Sequence, residues 1–385
     1  TTTGAAGNLV IWADEFRAAV IEEISPAFTD ATGVGVEVQI LDFGDIRTQV
    51  TTQAPAGEGP DIFIGANDWT GELSANGVIE PIDLGSKSGD FFDLSLTAFS
   101  IDGQLYAVPY GYEAIALYYN TDLVPEPPAS IEDAIAICAD LPDIENCIGL
   151  PGGGDGPDAY HHYPFISAGG GYIFRYDPAT GFDPSDVGLD TPEALAGVEV
   201  LQTLVDDGVI ASTNYDTAKN LFLEGSQPFW ITGPWELTES GGLNDPSVTV
   251  PWSVAKLPTI EGNNPAPFVG AQGFFVNAFS ENKVLATSFL LDYVATQETM
   301  EALYAADYRL PTFTAVFESA AADDPVAQTF NESAADGIPL PNIPEMGAVW
   351  APLGDQLLLL RNGEVNAEEA MGTAAEQVRS AVGAG

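Results

Sequence analysis

The sequence predicts an α/β protein of two lobes, each built on its own doubly wound sheet. Three observations lead there. The first 65 residues run strand, helix, strand, helix, strand, the order of a parallel sheet wound with helices. The same alternation continues to the C-terminal end without an internal repeat of fixed period. A chain of 385 residues is long enough for two to three domains at roughly 150 residues each.

Asn8 to Trp12 (NLVIW) is a short apolar strand. Asp14 to Phe28 follows with helical spacing at Phe16, Val20, Ile24 and Phe28. Pro26 inside that pattern predicts a kink or an early end, and Gly33 supplies a C-terminal stop. Val34 to Leu41 alternates as a strand, Ile46 to Gln53 reads as a helix, and Asp61 to Gly65 as the third strand. Ligands on such sheets bind beyond the carboxyl ends of the strands. Trp12, Asp14, Gly65 and Asp68 all fall there.

Ala107 to Asn120 (AVPYGYEAIALYYN) opens as a strand. Pro109 and Gly111 then argue against a regular central strand across that point. Glu113, the one charge in the stretch, heads a nearly apolar run. A buried carboxylate needs a partner, so Glu113 is either a satisfied core residue or a ligand-facing one. Asp102-Gly103 marks a hairpin turn. Ser130, with Asp133 three positions on, caps a helix reaching about Ala139.

Residues 148–176 hold a glycine-rich loop, then Tyr160, His161 and His162, then an apolar segment. Thr191-Pro192 opens another helix to about Asp206, and one more starts near Asp216. Pro228 to Thr232 is a strand, and Gly233-Pro234-Trp235 is a turn that leaves a large aromatic at its end. Phe268 to Asn277 is a strand. Helices follow over Lys283 to Val294 and Gln297 to Ala306, Arg309-Leu310-Pro311 breaks the chain, and the remainder is mostly helical.

Lys plus Arg is 10 against 57 for Asp plus Glu, a formal charge of −47. Nucleic acid is excluded as a partner, since its binding rests on clustered cations that release counterions. Anionic membranes are disfavoured too. A neutral or cationic ligand suits the field, and the acidity fits either a saline habitat or a need for solubility. No apolar run approaches the ~20 residues of a membrane span. The start, TTTGAAG, reads as the trimmed end of a flexible leader or tether. Cys138 and Cys147 are nine positions apart. An oxidising compartment would let them close a short disulfide loop; two free buried thiols are the alternative.

There is no GxSxG elbow, P-loop, GxGxxG or HExxH motif. The two histidines are neighbours, and adjacent side chains do not readily present both rings to one metal. No metal and no cofactor are expected. Asp14, Asp68 and Glu113 could supply a glycosidase-type pair, which needs two carboxyls about 5–9.5 Å apart, but with so many acids convergence by chance is cheap. The aromatics say more. Trp12, Trp69, Tyr160, Trp235 and Trp350 all fall at loops or strand ends. A flat ring stacks on the apolar face of a sugar while carboxylates accept its hydroxyl protons. Ordinary packing explains any one of them equally well; as a set interleaved with acids they point to a carbohydrate cleft.

The segments NLVIWADE, GEGPDIFIGANDWTG, GQLYAVPYGYEAIALYYN, ITGPWE, PFVGAQGFFVN and LPNIPEM, in this order, resemble the maltose/maltodextrin-binding proteins, the solute receptors of ABC sugar importers. The resemblance runs from about Asn8 to about Val382. It implies the two-lobed periplasmic-binding-protein fold, with sugar held in the inter-lobe cleft, closure by hinge bending and no catalysis. It implies a tether at 1–7, an N-terminal lobe of 8–111 with 267–312, and a C-terminal lobe of 112–266 with 313–385. Residue by residue, the family acid after the first strand corresponds to Asp14, with Glu15 and Arg17 as the alternatives because the chain is about one residue shorter there. Asp68 and Glu113 match sugar-binding acids, and Asp158 a ligand-side acid. Tyr160 matches a stacking Tyr, His161 a family Phe, Trp235 the Trp of the GPW turn, and Trp350 the Trp after the PNIPxM element. Trp69 stands where the family has an Arg, Gly65 where it has a stacking Trp, and Gly354 where it has an Arg. One stacking surface is thus expected to have moved from 65 to 69.

The implied function is a monomeric receptor for maltose, maltodextrin or a related α-glucoside, working with membrane permease subunits on the outer face of the membrane or in a periplasm. Cyclodextrin or trehalose are alternative ligands. A secreted glycoside hydrolase using Asp68 and Glu113, and a surface adhesin, are the competing classes.

Overall fold

The structure is a computed structural model. It describes residues 7–142, 144, 146–238 and 240–383; of the expected tether at 1–7, all but Gly7 lies outside the described residues. The chain forms two compact units. The first is drawn from Thr1–Tyr112, Gly270–Asp324 and Asn342–Pro344, the second from Glu113–Val269, Pro325–Pro341 and Glu345–Gly385. Residues 313–324, expected in the second lobe, fold with the first unit. Phe313 and Phe317 pack edge-on against Phe91 and Phe92 there.

In the first unit, β1 (Leu9–Ala13), α1 (Glu15–Thr32), β2 (Val36–Ile40), α2 (Phe43–Gln53) and β3 (Ile62–Ala66) follow in order. β1 pairs in parallel with β2 and β3, as the β-α-β-α-β pattern requires. Strand Phe268–Asn277 lies antiparallel beside β3 and is followed across the sheet by Ala107–Glu113 and then Leu310–Pro311. Ile11, Ile62, Ile64, Phe274 and Phe275 are fully buried in the sheet, under Ile21, Phe28 and Phe289. α1 runs through Pro26 to Gly33, whose left-handed backbone (φ 75°) ends it. The early end did not occur because Pro26 lies on the exposed face, where water can meet the carbonyl its ring leaves open.

Ala107–Glu113 is a continuous seven-residue strand, against the expectation of an interruption. The reason is the short neighbour on its far side. Leu310 and Pro311 pair only with Tyr112 and Gly111, so the ladder does not call on an N–H at Pro109. The Pro109 carbonyl instead accepts the Thr312 hydroxyl (2.9 Å). Gly111 is needed for close approach, since a Cβ there would lie 2.8 Å from the Arg309 Cβ. Asp102 and Gly103 (φ 52° and 77°) form the expected hairpin turn between Ser100–Ile101 and Gln104–Leu105.

The second unit has a mixed four-stranded sheet in the order Trp252–Ala255, Ala116–Asn120, Phe229–Thr232, Ile148–Gly149. Only the last pair is parallel. Tyr118, Trp230, Phe222 and Phe330 meet in its core, with Tyr118 at the hub. Helices Tyr215–Leu223 and Pro325–Ala335 pack on it, while Pro192–Asp206, Trp350–Arg361 and Ala367–Val382 pack on one another. Ser130 and Asp133 form a reciprocal capping box on helix Ile131–Asp140. That helix is tied at its end by a Cys138–Cys147 disulfide with Cα atoms 5.7 Å apart, so the two-thiol alternative is closed. The sequence did not reveal the hairpin Phe174–Asp177 with Gly181–Val187, because only its ends, Phe174 and Val187, are buried and the residues between show no two-period core face. Among the described residues, no helix is long and apolar enough to cross a membrane.

Candidate functional site

In the first unit the sequence-predicted residues sit at the carboxyl ends of the parallel strands. Asp14 follows β1 and caps α1, its Oδ1 accepting the Arg17 backbone N–H (3.2 Å). Its Oδ2 meets Arg17 Nη2 at 2.8 Å. Arg17 also reaches Asp307 (3.1 Å), which in turn holds Arg309 (3.0 Å) and accepts the Tyr110 hydroxyl (2.8 Å). Two acids and two arginines thus balance one another in a buried network, the only economical way to hold four charges away from water. The Tyr110 phenol is pushed well above its ordinary pKa, first by burial. Within this unit Asp14 and Arg17 are engaged with each other, while Glu15 is exposed at the start of α1.

β3 ends in a tight turn, Asn67–Trp69, that buries both Asp68 and Trp69. The Asn67 side chain ties this turn to the sheet by accepting the Ala271 N–H (2.9 Å). The Trp69 ring lies over Gly65: a Cβ at 65 would be 2.4 Å from it. Its other neighbour is Phe43, 5.1 Å away. The indole therefore occupies the space that a side chain at 65 would take. Trp12 belongs to the core, its indole N–H bonded to Gln39 (2.8 Å).

In the second unit the aromatics come together. Tyr160 lies 6.2 Å from Trp235 and 5.9 Å from Phe268, and Phe268 lies 6.2 Å from Trp350. His161 stands edge-on to Trp235 (5.9 Å) and to Tyr215 (5.8 Å). Tyr160, Trp235, Trp350 and Tyr215 are each only partly buried. Strand Phe229–Thr232 delivers the Gly233-Pro234-Trp235 turn, whose Gly233 carbonyl is held by the Tyr118 hydroxyl (3.0 Å). Glu113 is buried at the end of strand Ala107–Glu113. Tyr215 and Phe268 were missed by the sequence reading as site residues. Tyr215 opens a helix and Phe268 begins a strand, roles that explain each residue without a site.

Asp158 holds His161 by two bonds, one from the His161 backbone N–H (2.8 Å) and one from its Nδ1 (2.7 Å). Burial works to raise the Asp158 carboxyl, but its histidine partners prevail and its pKa is lowered. His162 is fully buried. Burial, with Arg361 beside it, lowers its pKa to about 3, so the ring is neutral. Nδ1–H therefore donates to the Asp158 carbonyl (2.6 Å), and Nε2 accepts from Arg361 (2.8 Å). Arg361, lowered to about 10 by burial, also donates to the carbonyls of Leu150 (3.0 Å) and Ala211 (2.6 Å). Asn362 grips both the N–H and the C=O of Gly154. The glycine-rich loop thus wraps closely around the end of helix Trp350–Arg361; a Cβ at Gly152 would lie 2.3 Å from the His162 ring. One packed unit fixes the loop bearing Asp158, Tyr160 and His161 to the helix bearing Trp350.

A cavity of 240 Å³ in the second unit shares Phe268 with this group; it is lined also by Tyr163, Phe174, Tyr176 and Phe182, among others, and contains none of the sequence-predicted residues. Among the described residues, no group of three or more His, Cys, Asp or Glu side chains is arranged to hold a metal ion.

A family profile described as bacterial extracellular solute-binding protein matches residues 23–329. A galactooligosaccharide-binding protein of Bacillus subtilis is 26% identical, covering 97% of this chain and 89% of its own. A maltotriose-binding protein of Pyrococcus abyssi is 29% identical over 82% of this chain and 68% of its own. A maltooligosaccharide ABC transporter solute-binding lipoprotein of Streptococcus pneumoniae is 25% identical over 97% and 89%. With the profile spanning most of its length, the chain belongs to the bacterial extracellular solute-binding proteins.

Proposed function

We propose that this protein is the solute receptor of an ABC importer for a neutral oligosaccharide, with maltose, maltodextrin or a related α-glucoside as the preferred class. The observation that carries the reading is the half-buried aromatic group of Tyr160, Trp235 and Trp350, flanked by the charged Asp158. Partly exposed aromatic rings suit the apolar faces of pyranoses, and fixed acceptors select hydroxyl geometry. Glu113, Asp68, Asp14 and Glu15 are the further candidate acceptors, Trp69 the further stacking surface and Arg17 the candidate donor. The printed ligands of the three relatives are all oligosaccharides, and a net charge of −47 does not repel an uncharged sugar. The protein carries out no catalysis. It delivers sugar to permease subunits from the outer face of the membrane, by a lipid tether or free in a periplasm, and acts as a monomer.

A thermal-shift screen of maltose to maltoheptaose, cyclodextrins, trehalose, sucrose and galactooligosaccharides tests this, because a ligand of the native state raises its melting point. At least one α-glucan should raise Tm, with no glucose released on long incubation. Trp235→Ala and Trp350→Ala should each weaken binding by about 1–3 kcal/mol. No shift with any sugar, or steady release of glucose, would overturn the reading.

A further inference from the structure

We propose that Glu236 is a positioning residue for Trp235, acting through the Tyr215 phenol with Lys219 as its counter-ion. The inference rests on Trp235 as a stacking residue and names what sets its angle. The short turn Pro234–Leu237 places Trp235 half-exposed and its neighbour Glu236 only 2% exposed. Helix Tyr215–Leu223 approaches the same turn with Tyr215 at its first position and Lys219 one turn later, on the same face.

The indole N–H of Trp235 donates to the Tyr215 hydroxyl at 2.5 Å. The phenol, accepting that hydrogen bond, donates its own O–H to Glu236 Oε1. The other Glu236 oxygen meets Lys219 Nζ at 2.9 Å. A carboxylate only accepts and an indole only donates, so this chain of bonds has one possible direction. Burial and the Glu236 charge hold the phenol protonated, its pKa well above the ordinary value. The indole is thus pinned at its N–H edge, while His161 stands edge-on to it and Tyr160 beside it.

A buried carboxylate with a lysine partner is a costly arrangement. This chain has 10 cations, and one of them is committed here. Packing alone would be served by an apolar pair. The arrangement is accounted for by what it does to the indole, since stacking depends on ring orientation held by supporting hydrogen bonds.

The test compares Glu236→Leu, Glu236→Gln and Tyr215→Phe in two measurements on the full chain. The first is the Trp235 indole Nε1–H resonance by NMR without sugar, assigned through Trp235→Phe. It should lie downfield in the wild type and in Glu236→Gln, which keeps an acceptor, and move upfield in Glu236→Leu and Tyr215→Phe. The second is maltotriose affinity. Glu236→Leu should weaken it about tenfold and Glu236→Gln much less. The loss should vanish in a Trp235→Ala background, as coupled neighbours require. An indole resonance unmoved by Glu236→Leu, or a tenfold loss that persists without Trp235, would overturn the proposal. If Glu236→Leu does not fold, Tyr215→Phe carries both measurements. If the wild type binds no maltotriose, the α-glucan reading fails while the resonance still decides this one.

Discussion

Gly233 and His162 show how single residues set the site. A Cβ at Gly233 would lie 2.0 Å from the Trp235 ring, although its backbone (φ −108°) suits any residue. Gly233→Ala should therefore displace the indole and lower sugar affinity about tenfold, measured by calorimetry. A loss of folding without a loss of affinity in the folded fraction would contradict this. His162 acts through protonation. Unfolded, it takes a proton near 6.5; folded, only near about 3. Below pH 6.5 the unfolded chain binds the extra proton, so stability is full above that pH and is lost as pH falls through the window toward 3. The expected slope is about 1.4 kcal/mol per pH unit. Denaturant melts at pH 6.5, 5.5 and 4.5 should show it in the wild type and a flatter profile in His162→Gln. Equal slopes would mean that His162 is not held neutral. Neither role was legible in the sequence, because two adjacent histidines look alike until one is buried against Arg361 and the other turned to Asp158 and Trp235.

At the scale of elements, local chemistry was a reliable guide wherever it acts within a few residues. The Ser130–Asp133 capping box, the Asp102-Gly103 turn and the Gly33 stop all formed as read. The Cys138–Cys147 bridge is equally local. It closes a short loop, and removing it through Cys138→Ser with Cys147→Ser should cost about 2–3 kcal/mol by loop-closure entropy. Reversible melts with and without the bridge would read this, and an unchanged stability would refute it. Strand Ala107–Glu113 went the other way. Pro109 argues against a central strand, yet the ladder runs straight through, because the neighbouring Leu310–Pro311 is only two residues long. That neighbour lies about two hundred positions away in sequence, so no local rule could supply it.

For the whole molecule, charge is the dominant fact. A net −47 on 385 residues opposes compaction by self-repulsion, and salt screens that repulsion as the Debye length falls from about 30 Å at 0.01 M to about 3 Å at 1 M. Tm should therefore rise by several degrees across that range of NaCl, most of it at the low end. A Tm independent of salt would show that the acids are spaced too widely to matter.

The sequence by itself determined the α/β alternation, the parallel β1, β2 and β3, the acidity and the family motifs, since each rests on residues close in the chain or on composition; it favoured the Cys138–Cys147 bridge, which the structure then closed. It also marked Tyr160, Trp235 and Trp350 as aromatics at loop and strand ends. Only the tertiary structure decided that Tyr160 and Trp350 meet at Phe268 with Trp235 beside Tyr160, that Asp14 and Arg17 lie in a balanced network with Asp307, and that Trp69 lies over Gly65. It alone tied the Trp235 indole to Tyr215, Glu236 and Lys219. The physical reason is the same in each case: such contacts join residues tens to hundreds of positions apart, and their geometry exists only once the cores have packed.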